Sequence, residues 1–343
     1  MPDSKKFRVL SIDGGGLRGI IPGQIMIALE KKLQTINPGA RISDYFDLVA
    51  GTSTGGILTC LYLHPDKKYS AEQAVELYLE RGDEIFSIPL LHRIRSAGGL
   101  LDEKHPADEL ESALKDYFGD TQLKDLVKPC LITSYDIKRR QGHFFNKTDA
   151  ELDPGWNYYV RDVARATSAA PTYFECSKIK SFSNISYPLI DGGVFVNNPA
   201  MCAYAEVHNK YQFGQDDIIV SKPDGLRNIT ARDMVILSIG TGYIKTEYDY
   251  KSAKDWGLVE WVKPLLDIMM SGVSDVVDYQ LRQMFSAVNC PGQYLRINGE
   301  LPRDVNPEMD DAATENLRAL AEFGNELAMN FSSQLNDFIE LIK

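Results

Sequence analysis

Gly51-Thr52-Ser53-Thr54-Gly55 is a G-x-S-x-G set between a short apolar run, Phe46–Ala50, and a helix-like segment, Thr54–Leu63. That is the setting of a nucleophile elbow. The strand-to-helix turn is tight enough to strain the serine backbone, and small neighbours let chain and helix approach each other. Ser53 Oγ would stand at the helix N-terminus, whose partial positive charge favours an alkoxide or an oxyanion. A Gly/Ser-rich turn without chemistry has the same five letters, so the other groups that acyl transfer needs must also be found.

Asp13-Gly14-Gly15-Gly16-Leu17-Arg18-Gly19 again lies between a strand-like and a helix-like segment. Gly14, Gly16 and Gly19 satisfy the dinucleotide fingerprint G-x-G-x-x-G. That fingerprint also wants an acid at the end of the next strand to hold a ribose. Here the next strand runs directly into the elbow. The better use of three glycines is a loop whose bare N–H groups converge on developing negative charge. Gly15 and Gly16 would donate, and Arg18 would steady the loop or a lipid phosphate; each well-aimed donor contributes roughly 3 kcal/mol to transition-state stabilisation.

A serine needs a base. The chain has five histidines, at 64, 92, 105, 143 and 208. In the order Ser…Asp…His only His208 lies late enough, and it falls deep inside a helix expected from Pro199 toward Tyr211, where an exposed position is expected. The alternative is a carboxylate. Asp191-Gly192-Gly193 follows the run Tyr187–Ile190, and its glycines would let the chain turn away so that the aspartate faces the elbow. Such a base works only if burial raises its proton affinity. D-G-G is equally an ordinary turn.

These residues need a scaffold. Phe7–Ile12, Pro129–Ser134 and Met234–Ile239 are near-continuous apolar runs, as expected for strands buried on both faces of a parallel sheet. A helix is expected from Pro22, with Ile25, Ala28, Leu29, Leu33 and Ile36 on one face; the tail carries Leu317, Leu320, Phe323 and Leu327 at helical spacing. Strands alternating with helices predict a layered α/β fold. No linker or repeat divides residues 1–343, which read as a single domain. Two segments, about 85–105 and 256–285, combine bulky apolar residues and read either as core or as a cap over the Ser53 cleft that opens onto lipid. The first holds Leu90 and Leu91; the second holds Trp256, Trp261, Leu265, Leu266, Ile268, Met269 and Met270. The clusters Lys138-Arg139-Arg140 and Lys178/Lys180 read as solvated surface. Arg161 and Arg165, four apart, either pair with acids or meet a phosphate.

Composition narrows the partners. The 343 residues are 44% hydrophobic and 25% charged, with a net charge of −11. An acidic chain makes a poor generic partner for DNA or RNA and gains little from anionic headgroups. Nothing approaches the ~20 apolar residues that span a bilayer. The opening Met1-Pro2-Asp3-Ser4-Lys5-Lys6 has no apolar h-region, so secretion is not expected. Five scattered cysteines without C-x-x-C fit a reduced, cytoplasmic chain better than a disulfide scaffold or zinc ribbon.

Taken together the motifs resemble the patatin-like phospholipases. That pattern is a D-G-G-G-x-[K/R]-G loop, a G-x-S-x-G elbow, an A-x-S-A-A-P-x-[Y/F]-F segment and a D-G-G/A acid. It is met in order by Asp13–Gly19, Gly51–Gly55, Ala166–Phe174 and Asp191–Gly193. The similarity extends to Asn197–Ala200, Leu237–Gly242 and Met309–Ala312, and so covers most of the chain.

The resemblance implies a three-layer α/β/α sandwich with a mostly parallel central sheet, and metal-independent, cofactor-free hydrolysis of glycerolipid acyl esters. It implies Ser53 as nucleophile, Asp191 as its dyad partner, and Gly15, Gly16 and Arg18 at the oxyanion hole; in the expected mechanism the amides of Gly14, Gly15 and Gly16 hold the tetrahedral oxyanion. By hydrolase analogy the Thr54 N–H assists. The substrate would be membrane phospholipid, met by a cytoplasmic protein peripheral to the inner membrane. The absent leader separates the chain from secreted plant members. Bacterial relatives include effectors switched on by cyclic dinucleotides to degrade the host membrane in antiviral defence, although no motif here identifies such a ligand site. A non-hydrolytic acyl-binding or storage protein and an acyltransferase are the alternatives. Thr52 stands where malonyl-type acyltransferases keep a histidine. A homodimer is left open.

Overall fold

The computed structural model describes residues 6–86, 107–213, 218–219, 229–244 and 248–343. The strands are β1 (Phe7–Ile12), β2 (Leu48–Thr52), β3 (Cys130–Asp136), β4 (Gln141–Asn146), β5 (Ser177–Lys180), β6 (Ser186–Asp191), β7 (Gln212–Phe213), β8 (Ile218–Ile219), β9 (Met234–Ile239) and β10 (Tyr294–Ile297). The helices are α1 (Ile20–Ile36), α2 (Ile42–Tyr45), α3 (Thr54–Tyr62), α4 (Ala71–Phe86), α5 (Ala107–Phe118), α6 (Lys147–Leu152), α7 (Val160–Thr167), α8 (Ala200–Lys210), α9 (Tyr250–Ala253), α10 (Leu258–Ala287), α11 (Thr314–Asn330) and α12 (Ser332–Ile342).

The main sheet runs β10-β9-β1-β2-β3-β6-β5, with β4 also paired to β3. From β10 to β3 the pairings are parallel; β3–β6, β5–β6 and β3–β4 are antiparallel. Residues alternate across the sheet as the two-residue strand period demands. Leu10 and Ile12 of β1 join a core with α1, α3, α4, α5, α7, α11 and α12, while Phe7 and Val9 join a second core with α8 and α10. The fold is therefore a three-layer α/β/α sandwich. Every residue of β2 and β9 is buried, which explains their unbroken apolar runs.

Local details depart from the sequence reading. The first long helix starts at Ile20, before Pro22, and Ile36 is half exposed. Residues 256–285 are core only in part. Val277, Leu281 and Phe285 are core, whereas Leu258, Trp261, Leu265, Ile268 and Met269 are exposed on one side of α10. The segment from about 85 to 105, with Leu90 and Leu91, lies almost wholly outside the described residues. Arg161 pairs with Asp120 and Arg165 with Glu111, so both are engaged by acids. No helix among the described residues is long and apolar enough to cross a membrane.

Candidate active site

In a parallel sheet, ligands meet the carboxyl ends of the strands. Here β1 ends in the glycine loop, β2 in the Ser53 elbow and β9 in Gly240-Thr241-Gly242. Ser53 has φ 54° and ψ −122°, a strained combination for a non-glycine residue that costs of order 1–3 kcal/mol. The flanking glycines are dictated by packing. A Cβ on Gly51 would sit 2.2 Å from the Gly55 carbonyl oxygen, and one on Gly55 would sit 2.2 Å from that of Ile12. The elbow is pinned from behind: the Ser53 N–H donates to Thr167 Oγ1 (2.8 Å), which donates in turn to the Thr133 carbonyl (2.7 Å).

Asp191 reaches the serine because β6 runs against β3. Asp191 pairs with Ser134, the neighbour of Thr133, and Thr133 pairs with Thr52. The antiparallel strand thus delivers its last residue one strand away from the elbow. Ser134 Oγ donates to the Ile190 carbonyl (2.7 Å), and the Asp191 N–H donates to the Ala169 carbonyl (2.9 Å), fixing that end of β6. The Asp191 carboxylate accepts from the Gly193 N–H (2.6 Å) and shares one cavity with Ser53. Burial raises this carboxyl to about 6, and the nearby Ser53 side chain and the Gly193 N–H work against the rise. The desolvation that a carboxylate base requires is present.

The glycine loop passes directly over Ser53. A Cβ on Gly14 would lie 3.3 Å from Ser53 Cβ. The Gly14 N–H, however, donates to the Asn197 carbonyl (3.1 Å), which removes Gly14 from the expected oxyanion donors. Its own carbonyl accepts from Thr241 Oγ1 (2.7 Å). No described residue accepts from the N–H of Gly15, Gly16 or Thr54. Gly16 has φ +58° and packs against the Met309 carbonyl, a place no side chain could take. The loop starts from a buried ion pair: Arg296 donates from Nη1 and Nη2 to Asp13 (2.9 and 2.5 Å) and also from Nη1 to Ser238 Oγ (2.8 Å).

Ser53, Asp191, Gly15, Gly16, Arg18 and Thr54 all line one cavity of about 770 Å³. One wall brings Ile57, Leu77, Tyr78 and Leu110 from α3, α4 and α5; another brings Pro264, Met269 and Met270 from α10. Its size and apolar walls suit an acyl chain. None of the described histidines lines it. His64 accepts from backbone N–H groups, and His143 is buried among aromatic rings, its basicity lowered to about 4 by burial. His208 is half-buried rather than exposed, its Nδ1 2.7 Å from the Ile229 carbonyl oxygen. His92 and His105 lie outside the described residues. Among the described residues no group of three or more His, Cys, Asp or Glu could hold a metal ion.

The supporting residues Thr167, Thr133, Thr241 and Arg296 were not singled out by chemistry in the sequence. Thr167 and Thr241 sit inside segments quoted for the resemblance, and Arg296 is a charge within an apolar strand. Those were the available signals.

Comparison with known proteins gives the same direction. The sequence model described as patatin-like phospholipase matches residues 10–204. Patatin-like protein 2 of Oryza sativa subsp. indica is 35% identical, covering 94% of this chain and 84% of that protein. Patatin-like protein 2 of Arabidopsis thaliana is 33% identical, covering 96% and 84%. Among solved structures, VipD from Legionella pneumophila aligns over 98% of this chain and 67% of its own, with a TM-score of 0.42 and 12% identity. An elbow serine, a glycine loop and a D-G-G acid set on one α/β/α sandwich, with that match in sequence over nearly the whole chain, place the protein in the patatin-like phospholipase family.

Proposed function

We propose that the chain hydrolyses acyl esters of membrane glycerophospholipids through a Ser53–Asp191 dyad. The observation that carries this reading is that Ser53 on its strained elbow and a buried Asp191, whose proton affinity is raised to about 6, line one largely apolar cavity. Asp191 accepts the Ser53 proton as Oγ attacks the ester carbonyl. The oxyanion meets the N–H groups of Gly15 and Gly16, with Thr54 at the N-terminus of α3. Protonated Asp191 returns the proton to the departing alcohol, leaving an acyl-enzyme. Water then gives a proton to Asp191 and attacks the acyl carbonyl; Ser53 recovers its proton as the fatty acid leaves. No resident metal or cofactor enters these steps.

Lipid would approach along α10. One side of that helix lines the cavity through Pro264, Asp267 and Met270, while Leu258, Trp261, Leu265 and Ile268 face outward. An exposed apolar face on the helix that lines the cavity supports peripheral docking on a membrane without a need for basic charge.

The test is fatty-acid release from phospholipid vesicles by the purified protein, with Ser53→Ala and Asp191→Asn as controls and His208→Ala as counter-control. Release abolished by the first two and retained by the third is expected. Near-wild-type turnover in either dyad variant would sink the assignment. A parallel arm with a panel of cyclic dinucleotides distinguishes a constitutive hydrolase from a gated effector. Acyl binding without release in every arm would favour an acyl-binding or storage role.

A further inference from the structure

Part of the cavity is charged rather than apolar. Arg18 is 9% exposed, and its Nε is buried without a hydrogen-bond partner. Burial pulls its basicity down while the carboxylates of Asp267 and Glu308 hold it up, and a guanidinium so placed remains a cation. Asp267, Asp275 and Glu308 line the same cavity. Tyr173 lines it as well. Beside Asp267 stands Tyr248, and beside that ring stands Trp256. Tyr248 places its hydroxyl 3.3 Å from Asp267 Oδ2 and meets Trp256 edge-to-face at 5.4 Å. Both rings line the cavity.

A buried cation lacking a hydrogen-bond partner at Nε calls for an anionic acceptor. Carboxylates flanked by aromatic rings call for an organic cation. A phosphatidylglycerol headgroup would satisfy Arg18 through its phosphodiester but bring no cation to Asp267 and Glu308. A phosphate–ammonium zwitterion satisfies both. In a glycerophospholipid the phosphate lies only a few covalent bonds from the ester carbonyls, matching Arg18's place two residues after the Gly16 donor. We infer that Arg18, with Asp267, Tyr248 and Trp256, forms a headgroup subsite selecting zwitterionic choline-type phospholipids over anionic ones, Arg18 taking the phosphodiester and Asp267 with the two rings the ammonium. This rests on the glycerophospholipid reading above.

Binding can be measured apart from turnover. The Ser53→Ala chain is titrated calorimetrically with dihexanoylphosphatidylcholine and dihexanoylphosphatidylglycerol, both below their micellar concentrations. The choline lipid is expected to bind about tenfold more tightly. Adding Asp267→Asn should shrink the ratio to about threefold or less. Phosphocholine should compete for the site better than inorganic phosphate. Equal affinity for the two lipids, tighter binding of the glycerol lipid, or a ratio unmoved by Asp267→Asn would overturn the subsite. Those outcomes leave the hydrolase reading to be decided by fatty-acid release from wild-type protein.

Discussion

Replacing Asp191 by Asn should make the protein more stable and nearly inactive at once. An aspartate held at about 6 against an ordinary 3.8 carries about 3 kcal/mol of destabilisation at neutral pH, all of it from keeping a buried carboxylate charged. The sign follows from proton counting. Between pH 3.8 and about 6 the folded chain binds the proton that the unfolded chain has released. Stability therefore falls as pH rises through that window, and it is lowest, as far as this group is concerned, above it. Asparagine has no charge to bury, and its carbonyl can still accept from the Gly193 N–H. The expected gain at pH 7.5 is up to about 3 kcal/mol, or roughly 3–6 °C in melting temperature for a chain of this size. It should shrink toward zero near pH 4. Activity should fall by roughly 10³-fold, the scale on which a positioned base contributes, and wild-type kcat/KM should rise with pH and level off above about 6. Melting curves of both proteins at pH 4.5, 6 and 7.5 make the comparison. A variant of equal or lower stability, with a difference that ignores pH, would refute the view that burial tunes this carboxyl.

The same geometry makes three further predictions. Thr167→Val leaves the Ser53 N–H and the Thr133 carbonyl oxygen buried without their partner, so denaturation should show a loss of about 2 kcal/mol, and kcat should drop about tenfold or more with KM little changed. Asp13→Asn should destabilise by about 3–5 kcal/mol because it strands the Arg296 guanidinium; urea titration should show much of that loss recovered when Arg296→Met is added. Leu265→Glu combined with Ile268→Glu charges an exposed apolar face, and initial rates should fall at least about tenfold more on vesicles than on a soluble short-chain ester.

Part of this site is legible in the sequence because its chemistry demands rare local combinations. Gly51, Ser53 and Gly55 can be read because a tight strand-to-helix turn leaves room for nothing larger. Asp191 is harder, since D-G-G is also the spelling of a turn. What removes the ambiguity is the antiparallel course of β6, and strand direction leaves no trace in the four-residue run Tyr187–Ile190. Gly14 shows the converse. It is expected among the oxyanion donors alongside Gly15 and Gly16, yet its N–H is taken by Asn197, a residue far along the chain that only the folded sheet brings near. Thr167 holds the elbow through a single hydroxyl and Thr133 meets Thr52 through another, and a buried threonine inside a strand or at a helix end looks like any other. α10 runs through Pro264 for 30 residues although proline argues for a break; its buried and cavity-facing residues hold it where local preference would not.

A dyad can do without histidine only if the carboxyl acquires an imidazole-like affinity for protons, and here desolvation supplies it. That ties the strength of the base to how dry the cavity is. A short ester leaves part of the 770 Å³ to water, whereas a long acyl chain displaces it and deepens the burial of Asp191. The bound complex of a long-chain ester should therefore titrate at higher pH than that of a short-chain one, even though free enzyme shows the same inflection near 6 in kcat/KM with either. Profiles of kcat against pH for butanoyl and decanoyl esters of one alcohol, both in neutral detergent micelles, would measure the difference. An alkaline displacement that grows with acyl length would mean that the lipid tunes the base that attacks it. Coincident kcat profiles would mean that the protein walls alone set the affinity of Asp191, and the link between chain length and base strength would fall.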